Sequence, residues 1–285
     1  MSSFREPLSA QAICAALSRV PIVREVVYLP SAGSTNAAAR DLAETGAPHA
    51  TLVVTDEQTA GRGRMGRSWY MPPRSALAMS ILVRPELNAA HANRLTMLAS
   101  LAAAEGIEQA TGLSVKLKWP NDVVAMNNDQ WTMTDDQLAM INGQWSDVRK
   151  MGGILCESAI VGDGIDYAVV GIGLNVNVDF ADRPELAATA TSVMLQLGRE
   201  VDRLSVLAAV VGRFAERFDS LYSGDALREA WAARLVTLGR RVEARSGEAV
   251  RTGLAEGVDD DGALWLRTGD GMLHRLLAAD VTLHL

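Results

Sequence analysis

The chain has 285 residues, enough for one large domain or for a catalytic domain with a small appendage. A hydrophobic share of 48% with 21% charged residues belongs to a globular protein and excludes a disordered one. Lysine and arginine total 27 against 34 aspartates and glutamates, and the resulting −7 argues against an extended nucleic-acid surface, which would need a basic excess.

Taken in order, residues 9–18 read as a short helix capped by Ser9, and Val23 to Leu29 as a strand. Ser34-Thr35-Asn36 opens a second helix that stops at Gly46, so Ser34 and Thr35 are either caps or ligand contacts; a helix N-terminus permits both. Thr51–Thr55 is a strand feeding a glycine-arginine loop, and Ala76–Val83 is the next strand. Residues 90–110 form the longest helical run of the first half. Val115–Trp119 alternates apolar and basic residues, the period of a strand, with Lys116 and Lys118 on one face as a solvated edge. Met126 to Arg149 is polar and without period, an insertion that suits a cover on a site, a partner surface or a disordered loop. Met151–Cys156 and Tyr167–Val176 read as central strands, 184–198 as one short helix, and Asp202–Leu238 as two helices broken near Ser223-Gly224. Beyond Gly239, five short β-like pieces separated by Gly and Asp turns suggest a small barrel, with a domain boundary near 237. Cys14 and Cys156 have no metal or disulfide spacing and read as reduced small hydrophobes. The start lacks a signal peptide's apolar core, and no apolar run reaches the roughly 18 residues of a membrane span, so the cytoplasm is expected.

The loop from Glu57 to Trp69 carries Gly61, Gly63 and Gly66 among Arg62, Arg64 and Arg67. Glycine allows close backbone approach and arginine offers a charged fork for carboxylates or phosphates, so the loop reads as an anion clamp. Its Gly-x-Gly-x-x-Gly spacing matches the dinucleotide fingerprint, and Glu86 even stands twenty residues past Gly66. That reading fails because Trp69-Tyr70-Met71-Pro72-Pro73 follows where a helix must start. Kinase, Walker A and nucleophile-elbow motifs are absent as well. Farther along stand Lys118-Trp119-Pro120-Asn121-Asp122, Lys150 before a double glycine, and Asn175 at a strand end, residue types suited to chemistry on phosphate. Singly, Lys150 reads first as a surface lysine and Asn121-Asp122 as a polar turn.

Together and in this order, these pieces resemble the biotin protein ligases. The motifs are Ser34-Thr35-Asn36, Gln58-Thr59-Ala60-Gly61-Arg62-Gly63-Arg64 with Arg67 and Trp69, Lys118-Trp119-Pro120-Asn121-Asp122, Lys150-Met151-Gly152-Gly153-Ile154-Leu155, and Gly171-Ile172-Gly173-Leu174-Asn175-Val176; Ala190-Thr191-Ser192 also fits. The resemblance implies an α+β fold, a mixed sheet with flanking helices related to class II aminoacyl-tRNA synthetases, over residues 1–237. It implies an SH3-like barrel over 238–285. It further implies an ATP-dependent ligase that makes biotinyl-5'-AMP with release of pyrophosphate, then passes biotin to a lysine of a biotin carboxyl carrier protein domain.

Carried over, Ser34, Thr35, Asn36 and Gln58 would bind biotin's ureido ring, with the backbone at Gly61 and Arg62 helping and Gly63 allowing close approach. Arg62 and Arg64 would border the carboxylate and phosphate, and Lys150 would bridge them as the main catalytic residue. Arg67, Trp69, Lys118, Asn121, Asp122 and Asn175 would serve ATP, with Asn121 and Asp122 beside Mg2+. Two departures stand out: Met65 replaces a basic residue common in the family, and a long insertion separates Asn121 from Lys150. About thirty residues precede Ser34, too few for the helix-turn-helix domain of some relatives, so no DNA binding is expected. Both a monomer and a homodimer suit the sequence. The rival readings are a lipoate or octanoyl ligase, against which Gln58 and the Gly-Arg-Gly-Arg loop argue, and a non-catalytic biotin-binding regulator, against which Lys150 argues.

Overall fold

The computed structural model describes residues 4–20, 22–126 and 148–283. Its frame is a seven-stranded mixed sheet built from β1 (Glu25–Leu29), β2 (Thr51–Thr55), β3 (Leu77–Val83), β4 (Lys116–Lys118), β5 (Asp122–Met126), β6 (Val148–Val161) and β7 (Gly164–Leu174). The spatial order is β1-β2-β3-β7-β6-β5-β4, parallel between β1 and β2 and antiparallel elsewhere. Strands β2 and β3 are buried along their whole length, the mark of strands covered on both faces.

The helices supply that cover. Helix α1 (Ala10–Ala16) is capped as expected, with Ser9 Oγ accepting from Ala12 N. Helix α2 (Thr35–Glu44) packs Ala39 and Ala43 against Val53, Leu82 and Val169 on one face of the sheet. On the other face lies α3 (Arg94–Thr111), buried on most sides and ended by Gly112 in the left-handed conformation. After α4 (Pro184–Ala187) and α5 (Val193–Leu197), helix α6 (Arg203–Arg217) crosses α3 at Gly106. A Cβ at Gly106 would stand 2.6 Å from Val210 Cα, so only glycine permits this helix contact. Asp202 caps α6 through Leu204 N and Ser205 N. Helix α7 (Gly224–Ala232) follows the break expected at Ser223-Gly224.

The last five strands, β8 (Arg241–Ser246), β9 (Ala249–Val258), β10 (Leu264–Thr268), β11 (Leu273–Leu276) and β12 (Asp280–Leu283), form a second antiparallel sheet ordered β11-β10-β9-β8-β12. It is an open ladder, with no pairing of β11 to β12 among the described residues that would close the expected barrel. It is not a loose appendage either. Trp119 Nε1 donates to Gly262 O at 2.8 Å, Trp119 N to Thr237 Oγ1 at 3.0 Å, and Asp261 accepts from Arg94 Nε at 2.9 Å with His91 Nδ1 2.7 Å away. Burial opposes the charge on Asp261, but the His91 and Arg94 contacts outweigh it and hold its carboxyl below the usual range.

Two further expectations are corrected. The outer edge of β4 is not solvated: Leu117 N donates to Arg234 O and Val236 N to Leu117 O, so residues 234–236 extend the sheet. Residues 184–198 form two helices because the span between them is used for pairing, with Lys150 N donating to Thr189 O and Thr191 N to Lys150 O, both at 2.8 Å. A single helix would forfeit those bonds. Of the insertion from Met126 to Arg149, Met126 ends β5 and Val148-Arg149 open β6; residues 127–147 lie outside the described residues. No described helix is long and apolar enough to cross a membrane.

One buried ion pair ties the N-terminal segment to this frame. Arg203 Nη1 lies 2.6 Å from Asp56 Oδ1, with the side chains 1% and 6% exposed. Asp56 Oδ2 accepts from Leu8 N and Tyr28 OH, while Arg203 Nη2 donates to Glu6 O. Burial and then the Asp56 contact push the Tyr28 hydroxyl up to about 12. The substitution Asp56→Ala strands a guanidinium in the interior and is expected to cost about 3–5 kcal/mol. The measurement is the urea midpoint at unchanged m; a loss under about 1 kcal/mol would show that the pair does not hold this region.

Candidate functional site

The elements above enclose a cleft of about 560 Å³, within the range of small-molecule sites. Its walls come from the start of α2, the loop after β2, the facing glycine stretches of β6 and β7, the turn before β5, and β12 of the second sheet. Fourteen of the fifteen residues expected at the site line it: Ser34, Thr35 and Asn36; Gln58, Arg62, Gly63, Arg64, Arg67 and Trp69; Lys118, Asn121 and Asp122; Lys150; and Asn175. Gly61 is the exception. It lies behind the loop, where a Cβ would meet Trp69 O at 2.7 Å and Gln58 Nε2 at 3.1 Å. Gly61 is needed for the loop to fold onto itself, with Trp69 N donating to Gly61 O at 2.9 Å.

The glycine pairs of β6 and β7 have a direct steric cause. Gly171 and Gly173 share one face of β7, at the strand's period of two. A Cβ at Gly171 would stand 2.1 Å from Asn36 Oδ1, and one at Gly173 would stand 3.0 Å from the Trp69 indole. Across the ladder, Gly153 pairs with Gly173, and its missing side chain leaves room for Lys150, whose Nζ would lie 3.3 Å from a Cβ there. Gly152 is equally constrained, by Leu174 Cδ2 at 2.5 Å and Gly173 O at 2.7 Å. A register shift opposite Val123-Val124 puts Lys150 across from Val124 while Gly152 faces Val123.

One end of the cleft is neutral and polar. Ser34 stands at the N-cap of α2 without a side-chain cap bond, so the capping half of its two readings is not realised. Gln58 Oε1 instead accepts from Thr35 N at 2.9 Å. Asn36 Nδ2 donates to Leu155 O at 3.0 Å and to Glu157 Oε2 at 2.8 Å.

The other end is cationic. Lys150 Nζ lies 2.6 Å from Asp122 Oδ1 and 5.7 Å from the centroid of the Trp69 ring. Arg64 Nη1 donates to Asn121 Oδ1 at 3.2 Å, and Asn121 Nδ2 donates to Ile154 O at 2.8 Å. Arg67 Nη2 reaches Asp280 Oδ1 on β12 at 2.6 Å, and Arg62 Nη2 reaches Glu157 Oε2 at 3.4 Å. Burial lowers the Arg64 guanidinium, with Asp280 and Asp122 working against the shift. Burial lowers Lys118 too; Asp122 supports its charge and Lys150 opposes it. Lys118 is therefore a member of the cleft, not the solvated lysine its strand pattern suggests. Asn175 is buried in the wall and donates from Nδ2 to Thr191 O at 3.1 Å. The Trp69 indole nitrogen is buried without a hydrogen-bond partner.

Sequence reasoning missed several lining residues. Tyr70, Phe180 and Leu186 add an apolar flank beside Ala190 of the Ala190-Thr191-Ser192 motif, with the Tyr70 and Phe180 rings 6.4 Å apart. Arg245, Asp280, Val281 and Thr282 arrive from the second sheet and carry no local motif. Met65 is 62% exposed at φ +57°, outside the cleft wall, so its side chain replaces no contact to the interior. Among the described residues no cluster of three or more His, Cys, Asp or Glu forms a protein-only metal site. Asp122 together with Asn121 is the candidate for a hard cation shared with a ligand's oxygens.

Comparison with known proteins adds the following. Residues 28–175 match the family model described as Biotin/lipoate A/B protein ligase family, and residues 237–283 match that of the Biotin protein ligase C terminal domain. The chain is 34% identical over 263 residues to the bifunctional ligase/repressor BirA of Bacillus subtilis, covering 91% of this chain and 74% of that protein. It is 37% identical over 241 residues to the biotin--[acetyl-CoA-carboxylase] ligase of Paracoccus denitrificans, covering 82% and 90%. The structure of a biotin protein ligase from Aquifex aeolicus in complex with biotin and ATP superposes with a TM-score of 0.71 at 26% identity, covering 92% of this chain and 99% of that one.

The steric reading of β7 is testable by unfolding. Gly171→Ala is expected to lose about 1–3 kcal/mol through overpacking against Asn36. Gly63→Ala, whose Cβ would meet Arg67 O at 3.4 Å, is expected to stay within about 0.5 kcal/mol of wild type. Equal losses at the two positions would refute the close approach as the reason for Gly171.

Proposed function

The chain belongs to the biotin/lipoate A/B protein ligase family, and we propose that its cleft holds biotin at the neutral end and ATP at the cationic end, with Lys150 at their junction. It is an ATP-dependent biotin protein ligase that activates biotin as biotinyl-5'-AMP and transfers it to a protein lysine. The observation that carries the site assignment is the convergence of Arg64, Arg67, Lys118 and Lys150 on a cleft also lined by Ser34, Thr35 and Gln58, with Arg62 between the two groups on the Glu157 carboxylate that also holds Asn36. The reaction brings a carboxylate against a phosphate, so it needs fixed positive charge between two anions and an uncharged site for the ureido ring.

In this reading Ser34, Thr35 and Gln58 hold the ureido ring. Arg62 and Arg64 border biotin's carboxylate and the α-phosphate. Lys150 bridges them and stabilises the charge that develops as the carboxylate oxygen attacks phosphorus and pyrophosphate departs. Lys150 is free to do so because Asp122 orients it and Gly153 gives it space. Arg67, Lys118 and Asn175 serve the nucleotide, and Trp69 covers the mixed anhydride, which water would otherwise hydrolyse. Magnesium suits Asp122, with Asn121 alongside, because this cation takes one or two carboxylates and completes its shell with phosphate oxygens and water. Bound there, it would lower the charge on the phosphates.

The second step needs a carrier lysine as the acceptor, and a biotin carboxyl carrier protein domain is the proposed partner. We further assign residues 1–237 to a catalytic domain of the class II aminoacyl-tRNA synthetase type and 238–285 to an SH3-like domain. The cytoplasm, where ATP is available, is the proposed compartment.

The direct test supplies ATP, magnesium and radiolabelled biotin or lipoate, with and without a carrier domain. Label should reach the carrier only from biotin; adenylate formed from lipoate alone would reject the assignment. For Lys150→Ala, the rate of adenylate formation should fall about 10²–10³-fold while the Kd for biotin changes far less, since the charge is needed chiefly in the transition state. Equal losses in rate and binding would remove Lys150 from its role.

A further inference from the structure

Behind the neutral end of the cleft, the hydrogen bonds form one chain whose proton count has a single solution. Asn36 Nδ2 lies 3.0 Å from Leu155 O and 2.8 Å from Glu157 Oε2, a carbonyl and a carboxylate that can only accept. The Asn36 amide is therefore turned with its oxygen toward Ser80, whose Oγ is 2.7 Å away. Ser80 has one proton and must give it to that oxygen. The 2.8 Å contact between Ser80 Oγ and Thr35 Oγ1 then requires Thr35 to be the donor. Thr35 Oγ1 also lies 3.3 Å from Gln58 Oε1, but donation there would leave lone pairs opposed across the shorter contact.

With its proton spent, Thr35 presents only lone pairs to the cleft. Gln58 is fixed in the opposite sense. Its Oε1 accepts from Thr35 N, so its Nε2, which lies beside Gly61, is the group left with protons to offer a ligand. Thr35, Asn36 and Ser80 are 3%, 4% and 0% exposed, so water is not there to reverse the chain.

We propose that Ser80 and Glu157 are positioning residues that set the polarity of this wall at Thr35, making it an acceptor beside Gln58, which the Thr35 backbone N–H independently fixes as a donor. The wall thereby selects a ligand group that carries an N–H beside a C=O. Neither residue needs to touch the ligand; Glu157 orients Asn36, Asn36 orients Ser80, and Ser80 orients Thr35. The inference rests on the reading that the ureido ring lies against this wall. It adds the cause of the preference over an acyl chain without such a group.

The experiment measures KM and kcat for adenylate formation with biotin, with dethiobiotin, which keeps the ureido group, and with biotin methylated at the ureido nitrogen. Ser80→Ala should raise KM for the first two about tenfold at unchanged kcat and leave that of the methylated compound unmoved. Thr35→Val should do the same, and the double variant should be no worse than Thr35→Val, because Ser80 acts through Thr35. Because Glu157 also pairs with Arg62, its variants are read as the ratio of the biotin KM to that of the methylated compound: Glu157→Leu should raise this ratio as Ser80→Ala does, with Glu157→Gln, which keeps an acceptor for Asn36, restoring most of it; this pair decides the matter if Ser80→Ala does not fold. A KM increase shared by all three compounds, or additive losses in the double variant, would overturn the proposal. If Thr35→Val leaves the biotin KM unchanged, the ureido reading itself falls. If Thr35→Val raises it while Ser80→Ala does not, only the positioning role falls.

Discussion

Six cationic side chains, Arg62, Arg64, Arg67, Lys118, Lys150 and Arg245, share one cleft, and their mutual repulsion is the constraint the architecture answers. Two like charges about 4 Å apart repel by about 4 kcal/mol at an effective dielectric of about 20, which a site of this kind has to offset. Three carboxylates do so, each from a different element: Glu157 on β6 faces Arg62, Asp122 on β5 faces Lys150, and Asp280 on β12 faces Arg67. The second sheet is thus part of the charge balance, because Asp280 also supports the charge on Arg64 and Lys118. Anionic substrates entering the cleft meet cations already held in place by groups they can partly replace.

Making the cleft in the middle of a sheet costs packing on one face. Along β7, Val170, Ile172 and Leu174 are buried in the core, while the intervening Gly171 and Gly173 carry nothing. Their missing side chains are replaced by Asn36 and Trp69, which belong to α2 and to the loop after β2. The alternation lets one strand serve a hydrophobic core on one side and a ligand site on the other. Gly153 extends the same clearing onto β6.

Most strands, the caps at Ser9 and Asp202, and the long helix α3 were legible in the sequence because their signals are local: period, cap chemistry, and glycine or proline punctuation. The site motifs were legible for another reason, since Gly-Arg, Lys-Trp-Pro-Asn-Asp and Lys-x-Gly-Gly are residue types that packing alone does not demand. What was not legible depends on pairing at a distance. Residues 189–191 leave the helical state to bond Lys150, residues 234–236 cover the edge of β4, and Asp280 enters the cleft from a strand far along the chain. Ser80 and Glu157 look like any polar residue on a strand until their partners are known. The open order of the last five strands likewise follows from which edges meet, which composition does not encode.

The loop that carries the arginines is fixed at its base and weakly held at its tip, and this asymmetry follows from where its bonds lie. At the base, Asp56 is buried against Arg203, and Arg74 N donates to Asp56 O at 3.0 Å, so both ends of the loop close on one residue. Within it, Gly61 O accepts from Trp69 N and Gly63 N donates to Arg67 O at 2.6 Å, which keeps the loop a unit. The tip is held to the rest of the protein by Arg62–Glu157, Arg64–Asn121 and Arg67–Asp280, and the ion pairs among these are partly exposed contacts of the kind worth about 1 kcal/mol or less. Breaking them exposes no core. Beyond the tip, Trp69 packs over Gly173 and anchors the end of the loop on the sheet, and the arginines at the tip are the ones a phosphate would recruit.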